Sequence, residues 1–456
     1  MIIKMKLLIK ILAISILFAS ELQAQQKADR KKDRTSKEQK NLNGDGFADY
    51  YNDGYKRYGD YVYDPLFRTI QLHKEGWEQS PPVIEFGKGE KLELHFDHLV
   101  EERTALMWTV IHCNADWTPS SLNQSEYLAS FTEDYIVDSE FSFNTIQKYV
   151  HYSLVFPNEN MRITKSGNYM LFVYPEGMPD NPVFGKRFLV VSPAVTIEPN
   201  LKPATTPDMR QSHQELDFTI QSSGYRITDP YDALKVTIMQ NFDWSTAVYT
   251  LKPRHVKDSE IVYDYHDINV FPGIKEYRYF DTRSLRLLTD RVVRYDFVND
   301  TNIVVLRPDV SRRNDAYLSN PDINGRYAIR NTEGMGNHLT EADYTEVLFQ
   351  LQAKIPITFG SVYIIGDLVN QGKTSNGKLQ YNYETSAYET SLYLKQGYYN
   401  YLYKVKGQNI DDDEVWFFEG SSRETENEYQ IIVYYRDAGS LHDKIIGYRK
   451  VSSVGR

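Results

Sequence analysis

Lys91-Leu92-Glu93-Leu94-His95-Phe96 alternates polar and apolar residues, so Leu92, Leu94 and Phe96 share one face of an extended chain while Glu93 and His95 share the other. A period of two is the signature of a half-buried β-strand. The same reading extends outward to Leu106-Met107-Trp108-Thr109-Val110-Ile111-His112, to Asn168–Tyr174 after a Ser166-Gly167 turn, and to Arg187–Val191 before Pro193. These short strands, broken by turn residues, predict a first β-sandwich over residues 64–193.

A second series runs from Val195: VTIEPN, ELDFTI, LKVTIMQN, VYTLKP, RVVRYDFV and NIVVLRP, each of strand length and bounded by Pro, Asp, Asn or Gly. It predicts a second sandwich over 194–308. Residues 309–340 are polar and rich in Asn and Gly, which reads as a linker or a long surface loop. A third series, from EVLFQLQAKI through GSVYIIGDL, YYNYLYKVK and YQIIVYYR to KIIGYRKV, predicts a third sandwich over 341–456. Within it Tyr399, Tyr401, Tyr403 and Val405 fall on one strand face. No long amphipathic helix is evident. The expected fold class is therefore all-β, with tandem immunoglobulin-like β-sandwich domains.

Composition agrees. The chain has 456 residues, of which 41% are hydrophobic, enough for a real core, and 14% are aromatic, including 36 tyrosines, which favours strands. The net charge of −10 is unevenly spread, with ten basic and four acidic residues before residue 44 and an acidic remainder. Such a body is a poor nucleic-acid binder. A single cysteine, Cys113, removes intrachain disulfides and multi-cysteine metal sites. Lys4, Lys6 and Lys10 precede the apolar run Ile11–Ala19, and small Ala24 stands where a signal peptidase would cut, so residues 1–24 read as a secretory signal peptide. No later run is long enough to span a bilayer. Residues 25–63 read as a flexible basic tail followed by a Tyr/Gly/Asp-rich segment. The tail's seven basic residues between Lys27 and Lys40 suit contact with anionic lipid or an acidic partner surface.

A resemblance covers nearly all of the mature chain. Its carriers are Arg68-Thr69-Ile70-Gln71-Leu72-His73 with Gly76-Trp77, His112-Cys113-Asn114-Ala115-Asp116-Trp117, Glu126-Tyr127-Leu128, Tyr149-Val150-His151-Tyr152 before Phe156-Pro157-Asn158, and Ser166-Gly167-Asn168-Tyr169. Further along they are Gln240-Asn241 with Trp244, Glu276–Asp281, Glu419-Gly420, Glu424–Tyr429 and Val433-Tyr434-Tyr435-Arg436. In these residues and their order the sequence resembles the plug proteins of the Bacteroidetes type IX secretion system. The resemblance implies a periplasmic, non-enzymatic gate, associated with the outer membrane through a partner, that docks on the periplasmic opening of the translocon barrel protein and seals it when no cargo passes. The third sandwich also resembles, more distantly, the early-set modules of glycogen-binding proteins, in Val362–Leu368 and the tyrosine-rich run Gly397–Val405. Asn370 and Gln371 stand where a sugar-stacking tryptophan would be expected.

The remaining motifs read structurally. His112 and Cys113 are neighbours on a strand and point to opposite faces, so His112 is not placed to take the Cys113 proton. Asn41, Asn43, Asp45, Gly46, Asp49 and Asn52 have calcium-loop spacing, but neutral Asn at the first and last positions and no flanking helices make this a solvated turn. Gly372–Lys378 has phosphate-loop spacing, yet Leu379 replaces the metal-binding hydroxyl, and a strand follows. No catalytic, cofactor or metal residues are expected. The candidate partner contacts are four aromatics, Trp117, Tyr127 and Phe131 in a long loop of the first sandwich and Trp244 in a turn of the second. Two roles stand open for them: rings that cap a sandwich, or anchors for a protein partner. A competing reading is a secreted carbohydrate-binding protein. It requires an exposed platform drawn from Tyr381, Tyr383, Tyr399, Tyr401 and Tyr403.

Overall fold

A strand with one apolar face needs a second sheet to cover it. The computed structural model, which describes residues 56–334, 336–369, 377–407 and 416–453, provides that cover three times over. The signal peptide, the basic tail, the calcium-like spacing and most of Gly372–Lys378 lie outside the described residues. All described residues belong to one compact unit, Asn52–Arg456.

In the first sandwich one sheet runs Phe67–Lys74, Leu92–His98, Val150–Phe156, Asp138–Phe141. The other runs Tyr61–Val62, Phe184–Val191, Gly167–Pro175, Leu106–Cys113, Glu133–Tyr135, with Val83–Glu85 added in parallel against Phe184–Val191. Leu92, Leu94 and Phe96 do share the inner face, packed with Trp108, Val110, Leu171 and Phe188. Each such large side chain, fully buried, contributes about 1.5–3 kcal/mol. The Tyr61–Val62 strand shows that part of the Tyr/Gly/Asp-rich segment before residue 64 is integral to the sheet.

The all-β expectation holds, as tandem β-sandwiches; the four described α-helices are single turns of four residues. The boundaries predicted after the first sandwich do not hold. The strand Leu234–Gln240 of the second sandwich pairs along its length with Glu428–Tyr435, which in turn pairs with Lys444–Ser452. The second core therefore joins Leu216, Ile238 and Tyr263 to Ile431, Val433 and Ile446. Conversely, Arg278–Asp281 pairs with Gly397–Gly407, and Thr301–Leu306 lies parallel to Tyr344–Gln352, so both belong to the third core. The predicted linker 309–340 is no linker either: Tyr327–Ile329 pairs with Gly397–Gly407, and Asp309 is buried. The third sandwich is thus inserted within the second. Alternation along a segment shows that a strand exists, while its partner is set by long-range packing that no local pattern encodes.

Candidate functional site

Where the first and second sandwiches meet, the turn after Leu106–Cys113 is shaped by Asp116, whose Oδ1 accepts from Thr118 N (3.1 Å) and Thr118 Oγ1 (2.6 Å). It sets Trp117 in the left-handed region at φ 63°. The Trp117 ring meets that of Trp244 edge to face at 4.9 Å between centroids, and the Arg187 guanidinium lies 4.9 Å from one ring and 5.2 Å from the other. Beside them Asp443 accepts from Ala115 N at 3.0 Å, Lys235 Nζ at 3.0 Å and Arg436 Nε at 2.8 Å. Burial raises the Asp443 pKa, but its donors, Arg436 foremost, outweigh this and hold the carboxyl below its usual range.

The first and third sandwiches meet through a second buried carboxylate. Asp97 takes hydrogen bonds from Lys395 Nζ (2.6 Å), Tyr344 OH (2.7 Å) and His151 Nδ1 (2.7 Å), with Asp97 and Lys395 both buried. Burial pushes Lys395 down, opposed by Asp97, while Lys395 and His151 pull Asp97 below its ordinary value against its own burial. Around this pair Tyr149 OH donates to Ala342 O (2.7 Å), and Asp343 accepts from Ile146 N (2.7 Å) and Gln147 N (3.1 Å). Inside the third sandwich Arg278 is held by Glu419 (3.0 Å) and Asp309 (2.8 Å), and Tyr401 and Tyr403 both donate to Asp309 (2.7 and 2.9 Å). Each carboxylate also holds a second arginine, Arg291 on Asp309 and Arg312 on Glu419, so both are spent on internal ion pairs.

The family described as Type 9 secretion system plug protein 1st domain matches residues 67–192. This span covers the first sandwich from Phe67 onward, including Trp117 and Arg187 of its joint to the second. The chain belongs to the type 9 secretion system plug protein family. The chain is also similar to a solved structure, a hypothetical protein from Parabacteroides merdae ATCC 43184, at 35% identity over 87% of this chain and 99% of that one, with a TM-score of 0.83. A native alpha-2-macroglobulin from Escherichia coli, spanning its domains NIE-MG1, matches at 10% identity over 43% of this chain and 96% of that one, with a TM-score of 0.14. No curated protein matches.

For a plug family member the predicted partner contacts need revision. Trp117 and Trp244, expected in separate sandwiches, are brought together, but both are buried in the joint, and Tyr127 is buried against His112 and Tyr169. Rings so covered cannot touch a partner. Phe131 alone is exposed, at 61%. It opens a stretch in which Tyr135 and Phe141 are exposed on Glu133–Tyr135 and Asp138–Phe141, the last strands of their sheets, and Val137 and Phe143 are exposed just outside these strands. The carbohydrate platform is likewise overturned: Tyr399, Tyr401 and Tyr403 are buried in the third core, and Tyr381 is half-buried and donates to Ala353 O (2.9 Å), leaving Tyr383 exposed. Sequence reasoning missed the polar joint of Asp97, His151 and Lys395. Its signal was the polar half of the alternation at residues 93, 95 and 97, which reads as solvated until a second domain covers it. No described helix is long and apolar enough to cross a membrane.

Proposed function

We propose that this chain is a non-enzymatic gate of the type IX secretion system, located in the periplasm, that docks on the inner opening of the outer-membrane translocon barrel and closes it between transport events. The family match supports the system. The observation that carries the mechanical part is that neighbouring sandwiches are joined by buried, hydrogen-bonded charge and by interlocked aromatic rings. A cover over a wide opening must resist deformation, and such joints fix the angles between sandwiches more firmly than solvated linkers.

The contact surface is assigned to the exposed stretch Phe131–Phe143. Edge strands with outward aromatic and branched residues bind protein both through backbone hydrogen bonding and through apolar anchors. The test is affinity purification of the barrel from native membranes carrying either this chain or its Phe131→Asp/Phe143→Asp variant. The wild-type chain should accompany the barrel, while the variant, folded by circular dichroism, should be depleted at least tenfold. A barrel that never brings the wild-type chain with it refutes the docking itself; equal recovery of the two refutes only this surface.

A further inference from the structure

The outward face of the first sandwich's sheet Phe67–Lys74, Leu92–His98, Val150–Phe156 collects five ionisable groups: His73, Glu93, His95, Asp97 and His151. Register places His73 opposite Glu93 and His151 opposite Asp97, and His95 lies two residues along from Glu93 on the same face. Ligand atoms from His73, Glu93 and His95 all lie within 4.8 Å of one another.

Hydrogen bonding orients the rings. His73 Nδ1 lies 3.0 Å from the carbonyl of Lys74, which can only accept, so Nδ1 carries hydrogen and the neutral ring keeps its lone pair on Nε2. His151 Nδ1 donates to the Asp97 carboxylate, which leaves His151 Nε2 as the acceptor for His95 Nδ1 at 3.2 Å. His95 Nε2 is then also a lone pair, and it lies 3.0 Å from Glu93 Oε1. Two acceptors so close repel unless a cation stands with them. One extra proton, shared by the His95–His151 pair, is one such cation. A metal ion is the other, and it alone also uses the third lone pair, on His73.

We propose that His73 Nε2, Glu93 Oε1 and His95 Nε2 form a binding site for one divalent transition metal of the zinc class, with a fourth position left for water. Two imidazoles and a carboxylate are a donor set that suits zinc, whereas calcium and magnesium take oxygen ligands. Tetrahedral zinc, with bonds of about 2.0–2.1 Å, needs its ligands roughly 3.3 Å apart, so a pair at the 4.8 Å limit closes by up to about 1.5 Å on binding. The outer partners of such a site are in place: the Lys74 carbonyl behind His73, and the His151–Asp97 relay behind His95. Because Asp97 is also bonded to Lys395 and Tyr344, the ion would sit one relay away from the joint with the third sandwich.

The experiment is isothermal titration of the chelator-stripped full chain with zinc chloride, repeated with Glu93→Gln, His95→Gln and, as control, His255→Ala at an exposed histidine on another sheet. One zinc per chain is expected, with affinity at least tenfold weaker in E93Q, weaker still in H95Q, unchanged in H255A, and not displaced by millimolar calcium. If H95Q does not fold by circular dichroism, E93Q decides, since Glu93 lies at the rim of the site and is partly exposed. Absence of stoichiometric zinc binding, wild-type affinity in E93Q, or displacement of zinc by calcium overturns the site.

Discussion

His112, buried, and Asp322, half-buried, are two groups whose protonation is displaced in opposite senses. Burial pushes the His112 imidazole down to about 4, with the Ser166 carbonyl working against it and His442 adding to it. The unfolded chain therefore takes up that proton first, so the stability His112 contributes is complete above its ordinary value near 6.5 and is lost as pH falls toward 4. Burial raises the Asp322 carboxyl to about 6, against hydrogen bonds from the Asn324 and Tyr277 backbone and with help from Glu426 and Glu276. The folded chain holds this proton more tightly, so its contribution is complete below about 3.8 and is lost as pH rises through 6. Each displacement corresponds to roughly 3 kcal/mol at most, and between pH 4 and 6 the two largely cancel. Urea midpoints should show this directly. Relative to wild type, His112→Gln gains stability as pH falls from 6.5 to 4.5, and Asp322→Asn gains as pH rises over the same interval. Midpoints of both variants that run parallel to wild type would refute this assignment.

At the scale of elements, strands Leu92–His98 and Ala387–Lys395, which belong to different sheets, are tied across the joint by the buried Asp97–Lys395 ion pair. Removing one partner leaves the other charge without compensation, at a cost of about 3–5 kcal/mol, whereas removing both costs much less. Lys395→Met and Asp97→Asn should each be strongly destabilising, and the double variant should lie well short of their sum in a double-mutant cycle read by urea denaturation. Additive effects would mean that Asp97 and Lys395 do not depend on each other. The same residues show what could be read from the sequence. Leu92, Leu94 and Phe96 were legible as an inner face because water repels all three whatever lies opposite. Asp97, His151 and Lys395 were not, because a polar face is compatible with solvent, and only the third sandwich removes the solvent. Trp117 and Trp244 were legible as exceptional rings but not as each other's partners, since their meeting depends on how two sandwiches dock. Arg291–Val298 was legible as a strand, yet its sheet was misassigned, because it pairs with Thr301–Leu306, which lies beside Tyr344–Gln352 in the third sandwich, so no sandwich ends at residue 308.

At the scale of the whole molecule, a gate should leave a phenotype that belongs to the barrel. Deleting the gene should make the outer membrane permeable to large molecules only while the translocon barrel is present, as measured by entry of large antibiotics or fluorescent dextrans. Leakage that persists when both are deleted would separate this chain from the pore. The insertion of the third sandwich within the second also imposes an order on biosynthesis. A polypeptide delivered from its N-terminus can complete its first sandwich early, for every described strand of that sandwich lies between Tyr61 and Val191. The second cannot close until Glu428–Tyr435 and Lys444–Ser452 arrive, some two hundred residues after Leu234–Gln240. Until then Leu234–Gln240 waits with one edge bare and one apolar face wet, a nascent species that invites chaperones and misassembly. Chains truncated before Glu428 should resist protease in the first sandwich, up to about residue 192, and in the third, whose core residues all precede Glu428, but not in the second-sandwich strands between Thr196 and Pro272; protection of those strands would show that the second sandwich closes without its final hairpin.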